Sequence, residues 1–272
     1  MNLAIFTDLD GSLLNYEDYS FEGARSSLAR IQEFGIPLIF TTSKTRTEVE
    51  LLQEEMGIME PFIVENGAAI FFPLGYRGWD MKIGAVMPPY NLIRLGKPYS
   101  EIRRFLEGVK MSFGLRGFGD LTIKEIAELA GMPEEKAKLA KEREFTEPFL
   151  MEKKRNIDHL QDLAFHEDIK ITRGGRFYHF IGAGQDKGEA VKITKVIFRQ
   201  RTEEDIIFVG IGDSANDLPM LENVDIPVLI PHPDGSYEKI DFANLTRAAY
   251  PGSTGWSEAI ERILDDFERN HT

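Results

Sequence analysis

The sequence predicts an α/β fold: a Rossmann-like, mainly parallel sheet with helices on both faces, carrying an inserted α+β domain. Three observations predict it. Short apolar runs with little polar alternation read as strands buried on both faces. Helical segments separate these runs, as parallel crossovers require. A stretch of different composition, from about Lys82 to Gln185, divides the alternation in two. The expected boundaries are therefore 1–81 for the first part of the core, 82–185 for the insertion and 186–272 for the second part of the core.

The elements follow in chain order. Leu3 to Thr7 reads as a buried strand, Phe21 to Phe34 as a helix and Ile36 to Thr41 as a second strand. Thr45 and Glu48 have the spacing of a capping box, and the helix they open runs to Gly57. "PFIVENGAAIFFP" reads as a strand pair about the Asn66-Gly67 turn. The insertion holds glycine- and proline-rich turns, three helical segments and the strand-like "GRFYHFIGA". Beyond it, "DIIFVGIGD" and "PVLIP" read as strands and Ser257 to Phe267 as a closing helix.

Composition excludes several functions. With 32 basic against 45 acidic residues, the net charge of −13 opposes general attraction to nucleic acid or anionic lipid. Any anionic ligand needs a local site. Cysteine is absent and the five histidines lack zinc-binding spacing, which removes disulfides, thiolate chemistry and a zinc centre. No apolar run approaches 18 residues, and Asp8 and Asp10 interrupt the first one, so a cytoplasmic protein without membrane partners is expected. Residues 122–144 imitate a DNA-binding helix-turn-helix. From Pro133 to Arg143, however, four basic residues meet three acidic ones, and a plain helical hairpin is the better reading.

The chemistry lies in two acidic clusters. In "FTDLDGSLLN" the carboxylates of Asp8 and Asp10 leave the end of the first strand two residues apart, a spacing that points them to one side if the chain stays extended. Open α/β sheets bind ligands at that edge. "IIFVGIGDSANDLPML" repeats the arrangement with Asp213, Asn216 and Asp217. A helix cap accounts for Asn216 or Asp217 but not for Asp213 as well. If both strands are central, four carboxylates converge, and their repulsion calls for a cation. Oxygen-only ligands select a hard ion, Mg²⁺ first. Thr42 and Ser43 end another strand with hydroxyls at the same edge. Lys187 begins a helix, where a cation is unfavourable unless an anion lies nearby, so it reads as a phosphate ligand.

These four stations, DLDGS at 8–12, Thr42, Lys187 and GDSAND at 212–217, resemble the haloacid dehalogenase superfamily of phosphohydrolases. The insertion then corresponds to the α/β cap of its sugar phosphatase subclass. More closely, "TTSKTRTEVE", "FIVENGAAIF", "EREFTEPF", "RGGRFYHFIG" and "GIGDSANDLPML" are similar to the mannosyl-3-phosphoglycerate phosphatase family, across cap and core alike. Ser12 departs from the threonine of many relatives but keeps the hydroxyl.

The resemblance implies a Mg²⁺-dependent phosphomonoesterase. Asp8 would be the nucleophile that forms an aspartyl-phosphate, and Asp10 the acid and base. Asp8, Asp10 through its backbone carbonyl, Asp213 and Asp217 would hold Mg²⁺. Thr42, Ser43 and Lys187 would bind phosphate, with Asn216 orienting Asp217 or a water. It implies dephosphorylation of mannosyl-3-phosphoglycerate in compatible-solute synthesis. The alternatives are glucosyl-3-phosphoglycerate, another sugar phosphate, or a sugar phosphomutase of the same superfamily. For the glycerate carboxylate and sugar hydroxyls, the insertion offers Arg173, Arg176 and Glu147, with His179 beside them; Lys44 is the next candidate.

Overall fold

The computed structural model describes residues 3–81, 83–151, 157–173, 177–202 and 205–271. Its larger sheet contains β1 (Leu3–Thr7), β2 (Leu38–Thr41), β3 (Phe62–Val64), β4 (Ala69–Pro73), β5 (Ala85–Met87) and β6 (Tyr90–Arg94). After the insertion it gains β11 (Ile207–Gly212), β12 (Ile226–Leu229) and β13 (Thr246–Arg247). The strand order is β13-β12-β11-β1-β2-β3-β4-β6-β5. Pairings from β13 to β3 are parallel, and β4, β6 and β5 extend the sheet antiparallel.

The period-2 alternation of the strands builds two cores. Leu3 and Ile5 of β1 face one side, where they join Leu28 of α1 (Arg25–Glu33), Val49 of α2 (Arg46–Met56) and Trp256 of α9 (Gly252–His271). Ala4 and Phe6 face the other, against Val191 and Phe198 of α7 (Lys187–Arg199) and Met220 of α8 (Leu218–Leu221). Helices thus cover both faces, as the sequence predicts. The capping box at Thr45 and Glu48 forms, and Gly57 ends α2 in the left-handed region.

The second sheet is antiparallel, ordered β7-β8-β10-β9, from Leu115–Gly117, Glu147–Met151, Tyr178–Gly182 and Ile169–Arg173. Four helices accompany it among the described residues, one more than the sequence reading counts: α3 (Tyr99–Phe113), α4 (Ile123–Ala130), α5 (Glu134–Lys141) and α6 (Ile157–His166). Two strands that follow residue 82 pair outside this sheet. β5 and β6 belong to the larger sheet, where β6 covers the edge of β4. Their turn residues look like a change of domain in the sequence but form a hairpin. The α4–α5 hairpin that imitates a DNA reader docks on the start of α2, where Thr45 Oγ1 donates to Leu139 O at 3.0 Å.

Candidate active site

β1 and β11 are neighbours at the centre of the sheet, so the loops leaving their C-terminal ends meet. The Asp8 N–H donates to Ile211 O at 2.8 Å, which fixes the nearer loop onto the farther strand. Gly11, at φ +83°, lies so close that a Cβ there would stand 2.6 Å from Asp213 Oδ2. At Gly212 a Cβ would meet Asp217 Cβ at 2.5 Å. Both glycines are needed for the carboxylates to approach.

Asp8, Asp213 and Asp217 are buried, and one oxygen of each lies within 4.8 Å of the other two. Lys187 completes the cluster, donating from Nζ to Asp8 Oδ1 at 2.7 Å and to Asp217 Oδ1 at 2.5 Å. Asp217 Oδ2 accepts the N–H groups of Asp213 and Ser214, each at 3.1 Å. Ser12 Oγ reaches Asp213 Oδ1 at 3.4 Å. Burial pushes the Asp8 carboxyl up to about 7, against the pull of Lys187, with Asp217 and Asp10 adding repulsion. The Asp213 carboxyl is raised well above its usual range by burial and by Asp217 and Asp8. Lys187 is raised despite its burial, because Asp217 and Asp8 favour the ammonium. A cavity of about 250 Å³ opens beside Gly11 and Asp213, with His232 on its wall and Nδ1 3.9 Å from Asp213 Oδ2.

Three of the four carboxylates close to within 4.8 Å of one another; that of Asp10 stands outside this group, though its charge is felt at Asp8 and Asp213. β1 ends at Thr7 and the chain turns at once, so the extended-chain rule that would aim Asp10 alongside Asp8 no longer applies. The Asp10 carboxylate instead pairs with Lys44 at 2.9 Å. Lys44 also lies 3.6 Å from Glu48 and 5.1 Å over the Tyr19 ring. Burial works against its charge, but Asp10 and Glu48 outweigh that and raise its pKa.

Thr42 is buried after β2, with Oγ1 accepting the Lys44 N–H at 3.1 Å, and Ser43 follows it, half-buried. Asn216 is exposed, and Ser214 Oγ lies between it and Asp217, 3.2 Å from Asp217 Oδ2. Asn216 accepts from Ser214 Oγ at 2.5 Å and donates to Asn66 Oδ1 at 3.0 Å.

The expected substrate contacts in the insertion fare differently. Glu147 is fully buried, with Oε1 accepting from Arg103 Nη1 at 2.8 Å and from the Gly119 N–H at 2.9 Å. It shares a face of β8 with Phe149 and Met151, which pack under α3 and α6, so it belongs to the interior of the smaller domain. Its carboxylate is therefore spent on Arg103 and the Gly119 N–H in this structure. Arg173 is exposed on that same face at the end of β9, 5.9 Å over the Tyr178 ring. Arg176 lies outside the described residues.

The sequence reading missed Glu65. Fully buried at φ +49°, it accepts from the N–H groups of Glu144 at 2.8 Å and Phe145 at 3.3 Å, and from Thr146 Oγ1 at 2.6 Å. Its carbonyl accepts from Gln185 Nε2 at 2.9 Å. One residue of the β3–β4 turn thereby grips residues 144–146 and the segment at Gln185 that precedes α7. The available signal was an acid inside "FIVENG", an otherwise apolar run entering a turn.

Haloacid dehalogenase-like hydrolase is the family whose pattern matches residues 5–77. A glucosyl-3-phosphoglycerate/mannosyl-3-phosphoglycerate phosphatase of Persephonella marina is 55% identical over 98% of this chain and 99% of its own. The chain belongs to this family of phosphatases. A mannosyl-3-phosphoglycerate phosphatase of Pyrococcus horikoshii is 37% identical, covering 81% of this chain and 87% of the relative. In fold, a haloacid dehalogenase-like hydrolase from Bacteroides thetaiotaomicron superposes with a TM-score of 0.67 at 18% identity, over 97% of this chain and 100% of that one. The phosphatase is a phosphomonoester hydrolase, and its three buried carboxylates form a group able to hold a metal ion. Among the described residues no helix is long and apolar enough to cross a membrane.

Proposed function

We propose that this phosphatase releases phosphate from glucosyl-3-phosphoglycerate and mannosyl-3-phosphoglycerate, through an aspartyl-phosphate on Asp8. The observation that carries the substrate is the 55% identity to a phosphatase named for both esters, which extends over 98% of the chain and so includes the insertion. We take residues 97–183 as the cap and the remainder as the core.

An Asp8 oxygen forms the bond to phosphorus as the ester P–O bond breaks. Asp10 gives its proton to the departing alkoxide. It then takes one from the water that attacks the aspartyl-phosphate and regenerates the carboxylate. Lys187, 2.7 Å from Asp8, favours the ionised nucleophile, and the Thr42 and Ser43 hydroxyls suit the phosphoryl oxygens. Lys44, 2.9 Å from Asp10, keeps that carboxyl beside the leaving group. Asp8, Asp213 and Asp217, buried and all-oxygen, fit Mg²⁺, which when bound offsets repulsion between carboxylate and phosphate.

Phosphate release should be measured with both glycosyl-phosphoglycerates, sucrose phosphate and simple hexose phosphates, before and after chelation. The highest kcat/KM is expected for the two glycosyl-phosphoglycerates, with activity lost to chelator and restored by Mg²⁺. Equal or better turnover of a simple hexose phosphate would overturn the substrate assignment.

A further inference from the structure

We propose that Arg143 and His179 form the subsite that reads the non-phosphate part of the substrate, Arg143 taking the glycerate carboxylate and His179 a sugar hydroxyl. The inference rests on the substrate class proposed above and replaces Arg173 and Glu147 in that task.

The cap sheet has one covered face and one open to this role. Glu147, Phe149, Ile171, Tyr178 and Phe180 alternate onto the face packed against α3 and α6. The intervening residues share the opposite face, where the strand register sets Pro148, His179 and Thr172 in one row. His179 Nδ1 is buried there and has no hydrogen-bond partner among the described residues. Asp10 Oδ1 and Glu147 Oε2 are also buried without a hydrogen bond, but each belongs to a carboxylate paired with a cation, Lys44 and Arg103. His179 has no such pairing among the described residues, and a buried polar atom in that state calls for a ligand group. Burial first, and Arg143 second, hold the His179 imidazole neutral, with its pKa down to about 3. A neutral imidazole suits a hydroxyl rather than an anion.

Arg143 occupies the loop between α5 and β8. Its Nη1 donates to Ser43 O at 2.7 Å and its Nε to Ala140 O at 2.9 Å. Two backbone carbonyls therefore fix the guanidinium plane. Among the described residues its Nη2 has no hydrogen-bond acceptor and it forms no ion pair, although its charge is felt by Glu65 as well as His179. In a protein of net charge −13, a fixed arginine with no carboxylate in ion-pair contact among the described residues is suited to an incoming anion.

Position selects which anion. Ser43 adjoins Thr42, one of the proposed phosphate hydroxyls, so Arg143 touches the loop that cradles the phosphate. In a 3-phosphoglycerate ester the carboxylate is only two carbons beyond the phosphate-bearing carbon. The cation that reads it must stand beside the phosphate cradle. Arg143 does so, whereas Arg173 lies exposed on the helix-covered face of the cap sheet.

The test uses the full-length protein with Mg²⁺ and three esters: glucosyl-3-phosphoglycerate, its carboxylate-free analogue glucosylglycerol 3-phosphate, and sugar-free 3-phosphoglycerate. Arg143→Met should reduce the kcat/KM preference for the first ester over the carboxylate-free analogue by roughly 10- to 100-fold, and Arg143→Lys should recover part of it. His179→Phe should reduce the preference for the first ester over 3-phosphoglycerate by about 10-fold. A purely structural latch between cap and core would lower all three esters together. Unchanged preferences in Arg143→Met and His179→Phe would therefore overturn the subsite. A wild-type enzyme that turns over hexose phosphates but neither glycosyl-phosphoglycerate would instead overturn the substrate class on which the subsite rests.

Discussion

The Asp8–Asp217–Lys187 cluster of the core and the open face of the cap differ in how completely their polar groups are satisfied. In the core, Asp217 uses one oxygen for Lys187 and the other for two backbone N–H groups, and two glycines yield their side-chain space to carboxylates. In the cap, Arg143 is held by carbonyls without an ion pair, and His179 Nδ1 has no partner among the described residues. The contrast separates chemistry from choice. A phosphoryl group is the same in every monoester, so its cradle can be rigid before substrate arrives. The alcohol differs between substrates, and the groups that read it keep bonding capacity in reserve until it binds.

The strongest way to break this comparison is Asp8→Asn. It should reduce kcat by about 10⁴-fold or more for a glycosyl-phosphoglycerate and for a small aryl phosphate alike, because both need the same nucleophile. Retained turnover of the aryl ester would show a second reaction route outside the core site.

Lys187→Met removes the cation from between Asp8 and Asp217. In metal-free protein the loss should be about 3–5 kcal/mol of stability, since buried carboxylates then face one another uncompensated. Mg²⁺ should return part of it. Thermal unfolding with and without Mg²⁺ checks this, and an unchanged metal-free Tm would contradict the electrostatic account.

A pH series sharpens the same point. Asp8 titrates near 3.8 when unfolded and at about 7 in the folded core, so between those values the folded state holds more protons. Its stabilising contribution is complete below pH 3.8 and is lost as pH rises through about 7. Asp213 acts in the same direction. Buried His179, at about 3 when folded and 6.5 when unfolded, acts the other way, since its stabilising contribution is lost as pH falls below 6.5. Metal-free Tm should consequently fall from pH 6.5 to pH 8, and the gain on adding Mg²⁺ should grow from pH 5 to pH 8, because the ion binds the ionised carboxylates. Buried Glu65, raised by its burial, and His179, lowered by its own, contribute equally with and without metal and cancel in the difference. A Mg²⁺ gain that shrinks with pH would contradict the assignment of the triad.

The smallest effect is expected from Glu147→Gln. Losing the charge opposite Arg103 should lower stability by about 1–3 kcal/mol while leaving kcat/KM within about twofold. A large rise in KM at unchanged Tm would return Glu147 to the substrate.

Much of this was legible in the sequence because it depends on local chemistry. Apolar runs ending in acids predicted β1 and β11, and the Thr45 and Glu48 spacing predicted the start of α2. Asp8, Asp213, Asp217 and Lys187 were readable because each sits at an element boundary whose direction the sheet dictates. The direction of Asp10 was not, since it depends on where β1 stops and on Lys44, 34 residues away in the chain. In the cap, the burial of Glu147 was not legible, because its face is set by pairing with β10 and by cover from α3, both long-range facts. Glu65 was hidden by its own turn: its partners lie near residues 144–146, and no local pattern announces them.

The division of labour is tested most directly by single-turnover acid quench of the wild-type enzyme, once with glucosyl-3-phosphoglycerate and once with a small aryl phosphate. Both esters leave the same phosphoryl group on Asp8 after the alcohol departs. The rate of phosphoenzyme formation should differ between them by orders of magnitude, reflecting what the cap recognises. The decay of phosphate from the Asp8 peptide should follow one common rate constant, set by the core alone. Decay rates that track the departed alcohol, or phosphate recovered on any residue other than Asp8, would contradict the account.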